Sequence, residues 1–284
     1  MKAYKYRIDS QGRNAATQIL PLVGDHKRVL EIGCSVGTQT RILSRELKCE
    51  VTAVEIDAGS AESAREYCKQ LVIGDVESLD LTKALAEQSF DVMLLADVLE
   101  HLREPGRTLT KLRSLLAPSG FLLCCVPNVC HAAIAWEVAH GRFDYQRYGL
   151  LDDTHIRFFT RRSIEELLDS GGYIVSEVHR FRLPIGATEF PVTPASEDDL
   201  RFLSYVTTNN PESETYQFIV KAHSMGQSSQ GLLPRIAKLE RENEELLRRL
   251  TVADAKVKKL TSEIQWLESA RAAGFLRRLL GKLR

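Results

Sequence analysis

Residues 29–40, Val-Leu-Glu-Ile-Gly-Cys-Ser-Val-Gly-Thr-Gln-Thr, constrain the fold of this chain more than any other stretch. Val29, Leu30 and Ile32 are strand formers with no turn residue among them. Gly33 and Gly37 permit a tight turn or a close approach to a ligand. A helix opening near Gly37 aims its free N–H groups and its positive end into that turn. Such a strand–turn–helix unit builds a pocket for a small charged molecule at the carboxyl ends of parallel strands. The dinucleotide pattern Gly-x-Gly-x-x-Gly fails here, because Ser35 and Thr38 stand at its second and third glycines. No Gly-x-x-x-x-Gly-Lys-Ser/Thr phosphate loop occurs either.

The rest of the chain alternates strand and helix patterns. A helical stretch over 12–23, broken by Pro21, precedes the glycine turn. Strands are expected over 29–32, 50–56, 71–74, 90–95 and 121–126, and helices over 38–47, 58–69 and 106–116. Pro118-Ser119-Gly120 reads as a turn. A helix over 161–170, capped by Thr160 or Ser163, leads to two last strands over 172–181 and 215–222. Between them lies an insertion, 182–214, read as a specificity element or a mobile loop. The pattern predicts an α/β fold with a doubly wound, mostly parallel seven-stranded sheet.

Lys plus Arg equals Asp plus Glu at 38 each, so no net field favours nucleic acid. No run approaches the ~20 apolar residues of a membrane span, and the polar residues 1–10 argue against a signal peptide. Cysteines 34, 49, 68, 124, 125 and 130 have no Cys-x-x-Cys spacing and read as free thiols of a reducing cytosol. These observations predict a cytoplasmic protein.

Glu31-x-Gly33-x-Ser35-x-Gly37 resembles motif I of class I S-adenosylmethionine (SAM) methyltransferases, with Ser35 at the usual middle glycine. Three further landmarks extend the likeness. Glu55, with Asp57 as its neighbour and competitor, ends the second strand; a carboxylate there can accept both ribose hydroxyls. Asp75-Val76 ends the third, and in the resembled family this acid binds the adenine amino group. Residues 90–102, Phe-Asp-Val-Met-Leu-Leu-Ala-Asp-Val-Leu-Glu-His-Leu, resemble motif IV of small-molecule methyltransferases. The likeness spans about 13–224 and places the cofactor against Glu31, Gly33, Ser35, Gly37, Glu55, Asp57, Asp75, Val76, Ala96 and Asp97. Residues 149–160 resemble the acceptor lid of methyltransferases associated with bacterial surface-polysaccharide clusters.

The resemblance implies SAM-dependent methyl transfer, with O-methylation of a sugar, glycan or related small metabolite as the leading reading. The alternative is a catalytically weak scaffold that recruits glycan-synthesis partners. A SAM methyl is already electrophilic, so the protein must align the acceptor and, for a hydroxyl, remove its proton. His101 is the first candidate base and His155 the second. No metal is assigned; a divalent metal on Asp97, Glu100, His101 and His155 is the secondary reading.

Four segments follow: a catalytic domain over 1–224, a linker over 225–234, a coiled coil over 235–269 and a basic amphipathic tail over 270–284. Ile236, Leu239, Asn243, Leu246, Leu250, Ala253, Val257, Leu260, Ile264 and Leu267 recur at heptad spacing. Asn243 at an a position suits a parallel homodimer. The pairs Arg235–Glu240 and Arg249–Asp254 attract across such a dimer, while Glu263–Glu268 repel. The tail sets Phe275, Leu276, Leu279, Leu280 and Leu283 against Arg271, Arg277, Arg278, Lys282 and Arg284. It can lie on the inner face of a membrane or dock on protein.

Overall fold

The computed structural model describes residues 15–85, 89–225 and 232–281. Most of the linker and the ends of the chain, residues 1–14 and 282–284, lie outside the described residues. Two compact units are present, Met1–Arg235 and Ile236–Arg284.

The described part of the first unit begins with α1 (Ala15–Ile19) and a 3-10 turn that carries Pro21, then enters β1 (Arg28–Ile32), α2 (Thr38–Arg45), β2 (Glu50–Glu55), α3 (Ala58–Ala61) and β3 (Gln70–Ile73). There follow α4 (Leu81–Ala84), β4 (Phe90–Ala96), α5 (Pro105–Arg113), β5 (Leu116–Pro127), α6 (Ala132–Ala139), α7 (Arg161–Ser170), β6 (Tyr173–Arg182), α8 (Glu197–Asn209) and β7 (Thr215–Ser224). The described residues of the second unit lie within α9 (Leu232–Gly281).

Among the described residues, the strands form one seven-stranded sheet in the order β3-β2-β1-β4-β5-β7-β6. The first five run parallel, and β7 enters antiparallel between β5 and β6. Both faces of the central strands are buried. Leu30, Ile32, Met93, Leu95 and Leu122 pack on one side, and Val29, Val51, Val92, Leu94 and Leu123 on the other. This is why β1 and β4 read as continuous apolar runs rather than alternating ones. Because the chain crosses from β3 at the edge back to β4 beside β1, the carboxyl ends of β1 and β4 diverge into a crevice.

Three expectations are corrected by packing. The helix expected over 58–69 is α for its first turn and then 3-10 over Glu62–Tyr67. Pro118-Ser119-Gly120 does not terminate a strand; it lies inside β5, which is irregular opposite Phe90 and Val92. A Cβ on Gly120 would sit 2.8 Å from the Phe90 carbonyl oxygen, so glycine answers a close backbone approach there. The insertion holds a helix where a mobile loop is one of its two readings. It contains α8, whose Ser196 side chain caps the Asp199 N–H while Asp199 returns the bond to the Ser196 N–H. The helix over Arg161–Ser170 forms as expected, and its two candidate caps act together, Thr160 as the cap and Ser163 returning the bond.

Candidate active site

The crevice opens into a cleft of about 670 Å³. Its floor is the turn after β1. Gly33 has φ +76° and Ser35 φ +47°; a left-handed backbone at a non-glycine residue is uncommon and marks a place where geometry is imposed. Across the crevice Asp97, just past β4, is also left-handed at φ +54°. A Cβ on Gly33 would stand 2.9 Å from Val98 Cγ2, so the glycine lets the β1 and β4 turns meet.

Glu55 organises this floor. It is 5% exposed, its Oε2 accepts the Ser35 N–H at 2.8 Å, and its Oε1 accepts the Asp57 N–H at 2.9 Å. Two turns are thereby tied to one carboxylate, and each oxygen keeps a further lone pair. Asp57 caps α3 through the Ser60 N–H at 2.7 Å. Asp75 holds the next turn through the Glu77 N–H at 2.8 Å. Glu77 in turn accepts the N–H groups of Arg103 and Glu104 and fixes the far wall.

Gly33, Ser35, Glu55, Asp57, Asp75, Val76, Asp97 and His101 all line the cleft. Glu31, Gly37, Ala96 and His155 do not line it. Glu31 lies behind the turn, 3% exposed, and accepts a hydrogen bond from Thr40 Oγ1 at 2.7 Å. Burial pushes its carboxyl up to about 7, the Thr40 bond opposes this, and nearby Glu55 adds to it. Gly37 begins α2 at φ +78°, and a Cβ there would meet Ala64 Cα at 2.6 Å. Glycine there lets α2 pack on the 3-10 segment Glu62–Tyr67. His155 stands one ring behind His101, with centroids 4.9 Å apart.

Residues that the sequence pattern did not single out complete the wall. Thr154 arrives because the Ile156 and Arg157 N–H groups both donate to the Glu100 carbonyl at 3.0 Å, laying the 154–157 segment on the 3-10 turn Leu99–His101. His101 Nδ1 then lies 3.2 Å from the Thr154 carbonyl. A carbonyl only accepts, so Nδ1 carries the proton and Nε2 is the basic nitrogen. Asp97 Oδ1 accepts from Gln217 Nε2 at 2.6 Å; desolvation raises its carboxyl to about 6, against the opposing pull of Cys125 and then Gln217. Nothing local in the sequence links Gln217 to Asp97 or Thr154 to His101.

Residues 6–178 match a family model described as a methyltransferase domain. The chain belongs to the methyltransferase domain family. Its fold is that of the class I SAM-dependent methyltransferases. It is similar to a ubiquinone biosynthesis O-methyltransferase of Cereibacter sphaeroides, with 32% identity over 110 residues covering 38% of this chain and 44% of that protein. It is also similar to the pavine N-methyltransferase of Thalictrum flavum, at 26% over 118 residues, 40% of this chain and 33% of that one. The match thus spans less than half the length of these curated relatives. A SAM-dependent methyltransferase structure from Archaeoglobus fulgidus superposes with a TM-score of 0.50 at 17% identity, covering 75% of this chain and 96% of that one.

Proposed function

We propose that the methyltransferase domain binds SAM in the cleft and transfers its methyl group to an oxygen of a small acceptor, of which a sugar or glycan hydroxyl is the leading candidate. The observation that carries this reading is the Glu55 carboxylate, fixed by two backbone N–H groups on the floor of the crevice and still able to accept. The residues present fit the cofactor. Ser35 Oγ is buried on the cleft floor with no partner among the described residues, and a polar ligand group supplies one. In this reading Glu55 takes the ribose hydroxyls, Asp75 and Val76 the adenine, and Gly33, Ser35 and Asp97 the amino-acid end. Bound SAM supplies an electrophilic methyl. His101, with Nε2 as its basic nitrogen, takes the proton of an acceptor hydroxyl. The relatives include both O- and N-methyltransferases, so the acceptor atom is the finer part of the proposal.

The partners are proposed on the same terms: a second copy through α9, and an anionic membrane surface for the tail over 270–284. No described helix is long and apolar enough to cross a membrane.

Calorimetric titration with SAM tests the cofactor reading. Glu55→Ala should weaken binding by about 1–3 kcal/mol, the usual cost of losing hydrogen bonds to a charged group. Circular dichroism and a melting curve separate this from a collapsed turn. Undiminished affinity in a folded variant would move the ribose contact to Asp57.

A further inference from the structure

Glu100 has no role in the methyl-transfer reading, yet its surroundings are unusual. It is 1% exposed, and neither carboxylate oxygen has a hydrogen-bond partner among the described residues. A buried carboxylate normally collects two or more donors or a cation. Burial and then the Asp97 carboxylate push the Glu100 pKa up, a backbone N–H opposes this, and Asp152 adds a smaller upward push. Two imidazoles stand beside it. His155, 9% exposed, brings Nε2 to 4.0 Å from Glu100 Oε1, and His101 packs edge-on against His155. One ligand atom from each of Glu100, His101 and His155 lies within 4.8 Å of the others.

The tautomers suit ligation. His155 Nδ1 faces the Leu150 carbonyl at 3.4 Å, and His101 Nδ1 faces the Thr154 carbonyl at 3.2 Å. The Thr154 hydroxyl spends its own proton on Asp152 Oδ1 at 2.6 Å, so toward His101 it can only accept. With the proton on Nδ1 in both rings, Nε2 is the nitrogen able to ligate. Imidazole ligands are held and oriented in this way, by donating the other ring N–H to a carbonyl or carboxylate.

We propose that Glu100, His101 and His155 form a binding site for one divalent first-row transition ion. Two imidazoles and one carboxylate suit Zn²⁺, Co²⁺, Mn²⁺ or Fe²⁺, whereas Mg²⁺ and Ca²⁺ prefer oxygen ligands. Bonds of about 2.0–2.2 Å place neighbouring ligand atoms about 3–3.5 Å apart, so the triangle contracts by about 1 Å on binding. Asp97, the first member of the set that spacing suggests, is outside the group and bound by Gln217. The ion's use in the reaction rests on the methyl-transfer reading. His101 lines the cleft, so an acceptor oxygen entering there completes the ion's shell. His101 then serves as a ligand and not as a base.

The test is titration of the full chain, stripped with chelator, with Co²⁺ followed in the visible. The expected result is one equivalent bound, with ligand-field bands but no near-ultraviolet thiolate band, and displacement by Zn²⁺. The thiolate band matters because the described cysteines are free and Cys130 is exposed. Glu100→Gln and His155→Ala should each weaken Co²⁺ at least about tenfold. Absence of bands at millimolar Co²⁺, a thiolate spectrum, or unchanged affinity in folded variants overturns the site and leaves Glu100 as a protonated core acid. Should the variants fail to fold, the wild-type spectrum decides. SAM affinity of the stripped chain is measured separately. Its loss with Co²⁺ binding intact defeats the methyl-transfer reading alone.

Discussion

Glu31 illustrates how one side chain serves the cleft without entering it. Its carboxylate is held by Thr40 Oγ1 and so ties β1 to α2 behind the turn. Burial raises its carboxyl from 4.5 to about 7. Below pH 4.5 both the folded and unfolded chains carry the proton, and the residue costs nothing. From 4.5 upward the unfolded chain ionises first, so the folded state loses stability until about pH 7, above which the penalty is constant. Glu31→Gln, which keeps an oxygen for Thr40 and removes the repulsion from Glu55, should therefore stabilise the protein by on the order of 1–3 kcal/mol at pH 8. At pH 4.5 the gain should vanish. Urea denaturation at the two pH values measures it, and an equal difference at both would contradict the buried-charge account. At this scale the sequence was informative where a residue's place follows from the strand end it occupies. Glu55, Asp75 and Asp97 end parallel strands, and all line the cleft. Glu31 has the same motif membership but points away from the cleft wall, which spacing alone does not reveal.

The same distinction holds for whole elements. Strands with both faces buried announce themselves as apolar runs, and α7 by its capping residues, so β1, β4 and α7 were legible. What was illegible depends on approach between distant segments. Gly120 reads as a turn signal, yet its reason is the Phe90 and Asp91 carbonyls on the neighbouring strand. The prolines of the insertion suggested a loop, but Ser196 and Asp199 box a helix start within it. Gly37 belongs to this class. Motif membership assigns it to the ligand, while the structure gives it a left-handed N-cap pressed on Ala64. Gly37→Ala forces an L residue into that region at about 1–2 kcal/mol before any clash is counted. The variant should melt several degrees lower than wild type, as about 1 kcal/mol shifts a domain of this size by roughly 2–4 °C. An unchanged melting temperature would return Gly37 to a purely ligand-facing role.

For the molecule as a whole the decisive feature is α9. Its 50 residues make a rod about 75 Å long at 1.5 Å per residue. Ile236, Leu239, Leu246, Leu250, Val257 and Leu260 are each about half exposed or more along it. A single helix in water gains nothing from such a row, and helical stability normally comes from burying it. A period near 3.5 residues lays the row along one seam, which a second copy can cover over its full length. Asn243 interrupts the row at an a position, where a buried amide fixes register and favours two strands at some cost in stability. The full chain should therefore sediment as a dimer at micromolar concentration, and the chain ending at Ser224 as a monomer that still binds SAM. Asn243→Ile should raise the melting temperature of the assembly and admit trimers, because it removes the polar group that penalises them. Sedimentation equilibrium reads all three forms. A monomeric full chain, or an assembly whose size and melting temperature ignore Asn243→Ile, would exclude the heptad seam and leave the row to a different partner.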